Sequence, residues 1–195
     1  GQVFGNGALA TLFAALHFFY PESILPWVGF AAALAAVNAD TWATELGVLS
    51  PHPPRMITDL TKVVEKGTSG GISLIGTLAS LAGAGLIGIL AAILSPTDHW
   101  SLNTDIVPVG GYWLLITVSG LAGSLFDSFL GATVQAMYFC PKDKKETEKY
   151  PLHTCGTQTI HMRGWKWLDN DWVNFACSAF GVMIALITSV LYYVK

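Results

Sequence analysis

Five apolar runs constrain this chain more than anything else in its sequence: about Val3–Tyr20, Ile24–Gly47, Ile72–Leu94, Tyr112–Tyr138 and Trp172–Val194. A helix rises about 1.5 Å per residue, so ~20 apolar residues cross the hydrocarbon layer of a bilayer. All five runs reach that length, the first barely. They are too long for strands and lack strict two-residue alternation. Only 12% of residues are charged, against about 25% in a soluble domain. The chain therefore reads as all-α, a polytopic integral membrane helix bundle of about five transmembrane helices. A single transmembrane helical domain is expected over 1–195, with cytoplasmic loops at about 51–71 and 140–170. The first residues carry no Met, no basic n-region and no small-residue cleavage site, so they read as a span rather than a signal peptide, with further helices expected ahead of them in a longer protein.

Orientation follows from the basic residues. Of the ten Lys and Arg, all but Lys195 lie between the second and third runs (Arg55, Lys62, Lys66) or between the fourth and fifth (Lys142, Lys144, Lys145, Lys149, Arg163, Lys166). The connections Pro21–Ser23 and Ser95–Gly111 carry none. The positive-inside rule makes the basic side cytoplasmic. About 20 residues in from Ile24 the chain meets the inner boundary near Ala43 or Thr44, within a turn of Asp40; the same count from Tyr112 sets Asp127 at a matching depth. Gly70-Gly71-Ile72-Ser73, Asp169-Asn170-Asp171, and Gln2 with Asn6 mark the same boundary on the other runs. Every polar cluster is expected on one face.

The stretch Asn38-Ala39-Asp40-Thr41-Trp42-Ala43-Thr44-Glu45-Leu46-Gly47 puts two acids at the end of an apolar run with no cationic residue beside them. An ionised carboxylate there costs roughly 2.5–3.5 kcal/mol on insertion scales, so something must neutralise the pair. With Asn and Thr oxygens alongside, the fitting neutraliser is a hard divalent ion, Mg²⁺ first, which keeps waters that a phosphate can replace. A lone Asp127 sits in another apolar run, and Ser124, Asp127, Gly131 and Gln135 share one helical stripe. Polar glue between helices is the plain alternative for that stripe. An intramembrane acid is a functional candidate by default. Asp171, Asn174, Ser178 and Gly181 form a third stripe, with Asp169 or Asn170 available as a helix cap and Trp165, Trp167 and Trp172 as an interfacial belt.

Lys66-Gly67-Thr68-Ser69-Gly70-Gly71-Ile72-Ser73 opens the third helix. Free N–H groups and a positive dipole end suit such a start to phosphate. It is no Walker A sequence, and a Ser- or Thr-capped helix entry would look the same. Net charge is −3, and no basic, aromatic-interleaved patch is present to favour nucleic acid. Cys140, Cys155 and Cys177 are odd in number and lack a C-x-x-C, which gives neither a disulfide framework nor a zinc ribbon; reduced thiols are expected. His153-x-Cys155 followed by His161 fits no familiar zinc spacing, and Cys140 stands far off in sequence. His17, deep in the first run, reads as hydrogen-bonded packing.

In order along the chain, Asn38-Ala-Asp40-Thr-x-Ala-Thr44-Glu45-x-Gly47, Lys66-Gly-Thr-Ser-Gly-Gly-x-Ser73, Asp127-Ser-x-Leu-Gly-Ala-Thr-x-Gln135 and Leu-Asp169-Asn-Asp171-x-Val-Asn174 resemble one integral membrane family, that of phytyl-phosphate kinase and transmembrane protein 19. Gln2-Val-x-x-Asn6-Gly7, Pro54-Arg55-x-Ile57-Thr58 and Cys155-Gly156-Thr157 add to the likeness. A looser one exists to dolichol kinase and phosphatidate cytidylyltransferase. The resemblance implies transfer of a phosphoryl group from CTP, or another nucleoside triphosphate, to a prenyl monophosphate. It fits Asp40, Asp127 and Asp171 as metal-facing acids with Glu45 as a further ligand, and Lys66, Gly67, Thr68, Ser69, Gly70, Gly71 and Ser73 around the donor phosphates. Asn38, Thr44, Asn170 and Asn174 would fix those phosphates, and Arg55 or Arg163 would meet the acceptor phosphate. A phosphate monoester, with its second pKa near ~6, needs no catalytic base at neutral pH. Expected partners are the prenyl lipid, the nucleotide and membrane lipids; homo-oligomerisation is left open. Rival readings are a membrane cytidylyltransferase, an ion or solute transporter, and a scaffold whose polar residues only join helices.

Overall fold

The computed structural model describes residues 1–95 and 109–193. Its helices are α1 (Gln2–Phe19), α2 (Ile24–Gly47), α3 (Leu74–Ile93), α4 (Val109–Thr133) and α5 (Asn170–Tyr193). Four of them are long and apolar enough to cross a membrane, over Ile24–Gly47, Leu74–Ile93, Gly111–Thr133 and Asn170–Leu191. The apolar part of α1, Val3–Phe19, is shorter. Most of the connection Ser95–Gly111, together with Val194 and Lys195, lies outside the described residues.

Side-chain oxygens start the helices by satisfying first-turn N–H groups. Ser23 accepts from Leu25 N–H at 3.4 Å and Ser73 from Gly76 N–H at 3.1 Å. Asp169, not Asn170, caps α5: its Oδ1 accepts from the N–H groups of Asp171 and Trp172 at 3.1 and 3.2 Å. Two apolar runs overshoot their helices. Ile72 lies in a strand before α3, and α4 stops at Thr133 instead of continuing to Tyr138. The N–H groups of Val134 and Gln135 both turn back to the Leu130 carbonyl at 3.0 Å, which closes the helix. Hydropathy alone does not separate the last turn of a span from a short buried strand.

The two basic loops are more ordered than an all-helical reading anticipates. One folds β1 (Arg55–Met56), β2 (Asp59–Val63) and β3 (Gly71–Ile72) into an antiparallel sheet in the order β2-β1-β3. The other forms β4 (Met137–Cys140), β5 (Lys145–Thr147) and β6 (Ile160–Arg163), antiparallel in the order β5-β4-β6. Each sheet ties the end of one long helix to the start of the next.

α2 packs against all four other helices. Its Ala31, Ala32, Ala33, Ala35, Ala36 and Ala39 are buried. In lipid, helices associate by van der Waals fit and polar contacts, so small residues that let backbones approach decide the interface. A methyl group added at Gly123 of α4 would lie 2.7 Å from Ala36 Cβ and 2.9 Å from the Cys177 carbonyl; at Gly120 it would lie 2.8 Å from Ala35 Cβ. Polar contacts fix α3 beside this core: Asn38 Nδ2 donates to the Gly83 carbonyl at 2.9 Å, Trp27 Nε1 to Ala91 at 3.2 Å and Trp113 Nε1 to Gly85 at 3.1 Å. Leu74, Leu78, Leu81, Ile89 and Ile93 stay exposed on the outer side of α3, as a lipid-facing row should. His17 finds no hydrogen-bond partner for its buried Nδ1 among the described residues and packs beside the Trp27 ring instead.

Gly123→Val should wedge α4 away from α2. Overpacking of this kind costs about 1–3 kcal/mol. The expected outcome is a lower thermal midpoint of the detergent-purified protein, read by tryptophan fluorescence, while Gly7→Ala, at a site with open space, leaves it unchanged.

Candidate functional site

A pocket of about 370 Å³ lies where α2 and α4 end and α3 and α5 begin. Asp40, Thr41, Thr44 and Glu45 line it from α2; Ser124, Asp127 and Ser128 from α4; Asn170 and Asn174 from α5; Asn6 from α1. Helical spacing accounts for each set, since residues three or four apart share a face. The loop from Lys66 to Ser73 forms the facing wall. The expected gathering of polar clusters at one end of the bundle is what the chain adopts.

Asp40 and Asp127 interact electrostatically with each other across the α2–α4 seam. Ser124 Oγ makes a long contact of 3.5 Å to Asp40 Oδ1. Asp127 Oδ2 is buried with no hydrogen-bond partner among the described residues. Neither acid has an ion pair; among the described residues the one ion pair is between His153 and Asp143. Two neighbouring carboxylates without a cation are a costly arrangement in a poorly solvated place, and they set up an attraction for positive charge.

The Lys66–Ser73 loop is held tightly against α4. Gly67 and Gly70 take φ of +86° and +83°, which side chains resist. A Cβ at Gly70 would fall 2.5 Å from Ala132 backbone and side chain, and one at Gly131 would strike Ser69. Ser69 Oγ donates to Gln135 Oε1 at 2.9 Å. The N–H groups of Gly67, Ser69 and Gly70 have no acceptor among the described residues. Successive free amides in a turn of this kind form an anion-binding concavity. The phosphate-suited element is thus the loop itself, because Gly71 and Ile72 pair as a strand and Ser73 is committed to capping α3. Lys66 lines the pocket while its Nζ donates to the carbonyls of Val48 and Ser50 at 2.9 and 2.6 Å, at the C-terminal end of α2.

Four residues singled out in the sequence lie outside this pocket. Asp171 is rotated about 100° from Asn170 on the helix; its carboxylate abuts Gly1, just ahead of α1, and its backbone carbonyl lies against Gly5 of α1. Asn38 bridges α2 to α3. Arg55 donates to the Leu60 carbonyl at 2.7 Å within its own sheet. Arg163 places Nη1 and Nη2 on the Gly131 carbonyl, each at 3.0 Å, and so ties β6 to the last turn of α4. Conversely, the pocket includes Thr77 and Ser80 of α3. Ser73, Thr77 and Ser80 recur at helical spacing, a signal that was legible.

The main addition is Glu148, which lines the pocket from the loop after β5. It interacts electrostatically with both Asp40 and Asp127. Glu148 stays exposed at the pocket mouth, yet the protein around it partly shields its carboxyl from water. That desolvation raises its carboxyl above the ordinary glutamate range, outweighing the opposing pull of Ser69, Gln135 and Arg163. In sequence Glu148 is one charge in the run Lys142 to Lys149 and looks like any solvated loop residue. Only the fold of the second sheet brings it to the acids.

A family model described as integral membrane protein DUF92 matches residues 1–182. The chain belongs to that family. The likeness drawn from the ordered motifs is borne out at this level. Among curated relatives, this DUF92 chain is 36% identical to Protein PGR of Arabidopsis thaliana over 83% of its length and 54% of the relative's. It is 41% identical to an uncharacterised membrane protein of Methanocaldococcus jannaschii, over 67% of this chain and 49% of that one. With an uncharacterised membrane protein of Synechocystis it shares 26% identity over 95% of its own length and 57% of the other's. The chain thus spans about half the length of the curated relatives it matches. No solved structure matches it.

A raised carboxyl works against the fold once it ionises. Its contribution is fully present below the ordinary value of 4.5 and is lost as pH rises through the higher folded value. Glu148→Gln should therefore melt higher than the parent protein at neutral pH in EDTA. The gap should close as pH is lowered toward that ordinary value, as read in a pH series of thermal midpoints.

Proposed function

We propose that this DUF92 protein is a prenyl-monophosphate kinase, phytyl phosphate being one candidate acceptor, that takes the terminal phosphoryl group of CTP or another nucleoside triphosphate at the cytoplasmic face of its membrane. The observation that carries the reading is the convergence of Asp40, Asp127 and Glu148, with no cationic side chain in an ion pair with them among the described residues, opposite a loop whose backbone amides are free among those residues. Phosphoryl transfer needs mainly positioning and charge neutralisation, and these are the two things this pocket offers.

The donor set fits Mg²⁺. It offers carboxylate, hydroxyl and amide oxygens with no His or Cys among the lining residues, and Asp127 Oδ2 is left buried without a partner. Asp40, Asp127 and Glu148 would hold the ion, with Glu45 near by, and when bound it supplies neutralising charge to phosphate oxygens. The N–H groups of Gly67, Ser69 and Gly70 would donate to the donor phosphates, beside the Thr68 and Ser69 hydroxyls. Lys66 has donor capacity left after its two carbonyls and adds positive charge at the same wall. The Thr44 and Ser128 hydroxyls and the Asn170 and Asn174 amides would fix the opposite side. No proton need be removed from an acceptor that is already dianionic, which suits a pocket wall without histidine. The acceptor's hydrocarbon chain would remain in lipid with only its phosphate reaching the pocket. The basic residues of both loops at this end support its placement in the cytoplasm.

The test is incubation of purified protein with Mg²⁺, γ-labelled CTP and a panel of phytyl, geranylgeranyl and farnesyl monophosphates. Label should appear in the prenyl diphosphate. Label from α-labelled CTP in the lipid product would make the protein a cytidylyltransferase, and nucleotide-independent ion flux in proteoliposomes would make it a transporter. Asp127→Asn should lower kcat/KM by about 10³-fold, the equivalent of ~4 kcal/mol of charge stabilisation. Asp171→Asn, outside the pocket, should change it less than about tenfold.

A further inference from the structure

The second sheet carries a cluster that the pocket does not use. Cys140 ends β4, Asp143 follows in the turn to β5, and His153 and Cys155 lie in the loop before β6. One ligand atom from each of the four lies within 4.8 Å of all the others. Cys140 Sγ and Cys155 Sγ are 3.5 Å apart, and His153 Nδ1 is 3.4 Å from Cys155 Sγ and 2.8 Å from Asp143 Oδ2. Zinc binds thiolate at about 2.3 Å, imidazole at about 2.0–2.1 Å and carboxylate at about 2.0–2.2 Å. A tetrahedron with those bonds has edges of about 3.4–3.8 Å, so both sulfur contacts sit close to the size it requires. The shorter His153–Asp143 contact opens if the exposed Asp143 swings outward by about half an ångström.

We propose that Cys140, Asp143, His153 and Cys155 form a zinc site that fastens the β4–β5 hairpin to the loop preceding β6. Two thiolates and an imidazole select zinc over the oxygen-preferring Mg²⁺ and Ca²⁺. Cys140 is fully buried and His153 nearly so, while Asp143 is open to solvent, so the site combines a preset inner half with an entry path. An outer contact of the kind that orients ligands is present: the Asp143 N–H donates to Cys140 Sγ at 3.5 Å. Binding displaces the thiol protons of Cys140 and Cys155 and changes no oxidation state. His161, which sequence spacing groups with His153 and Cys155, stays outside: its Nε2 bonds the Gly164 carbonyl at 3.2 Å. The spacing rule missed the site because the β4–β5 hairpin, not the local sequence, delivers Cys140 and Asp143.

The test begins with zinc content by mass spectrometry of the detergent-purified full chain, prepared without chelator. About one zinc per chain is expected, falling to background in Cys140→Ser and Cys155→Ser and unchanged in His161→Ala. Should the serine variants fail to fold, parent protein stripped with chelator and titrated with Co²⁺ should show thiolate-to-cobalt charge transfer and tetrahedral visible bands. Zn²⁺ should then displace the cobalt and protect Cys140 and Cys155 from alkylation. Absence of zinc together with absence of the cobalt charge-transfer band overturns the proposal, as does recovery of Cys140 and Cys155 as a disulfide. None of these readouts depends on kinase activity.

Discussion

Between α2 and α4 there is no room for an added methyl group: Gly120 and Gly123 lie directly on Ala35 and Ala36, and Gly181 of α5 approaches the same alanine. In a bilayer the surrounding lipid is as apolar as leucine, so burial of apolar surface does not choose which helix faces which. Close backbone approach does. The alanine face of α2 draws four neighbours onto one axis, and everything polar at the end of the bundle takes its position from that axis.

The same closeness creates the electrostatic problem that the site embodies. Asp40 comes one turn after Ala36, and Asp127 one turn after Gly123. Packing those small residues together brings the two carboxylates within reach of each other, and among the described residues neither gains an ion-pair partner. The basic residues that might have answered them are occupied elsewhere. Lys66 and Arg163 each satisfy carbonyls at a helix C-terminal end, where the negative end of the dipole favours them. The bundle is thereby braced by its own cations, and the acids remain facing an open pocket.

The two small sheets complete the pocket from outside the bundle. The first holds the Gly67–Gly70 turn against Gly131 and Ala132, and the second carries Glu148 to the acids. Both are short, with mostly exposed strands in the first and a partly buried central strand in the second. Short sheets of this kind have little core of their own, so anchoring to helix ends decides their stability. In the second sheet Arg163 supplies such an anchor through the Gly131 carbonyl, while the side chains around Cys140 and His153 tie the hairpin to the loop before β6.

The membrane bundle, the presence of five helices and the meeting of Asp40, Asp127 and the Lys66–Ser73 loop at one end were determined by sequence alone, although α1 falls short of the other four in apolar length. Apolar run length, basic-residue placement and helical spacing are local properties, and each maps to depth in a bilayer by simple counting. Which way a side chain turns around its helix was not so determined. Asn170 and Asn174 rather than Asp171 enter the pocket because α1 occupies the other side of α5, a fact of packing. Glu148 and the Cys140–Cys155 cluster were likewise decided only by tertiary structure. Strand pairing across β4, β5 and β6 joins residues whose separation along the chain carries no periodic signal.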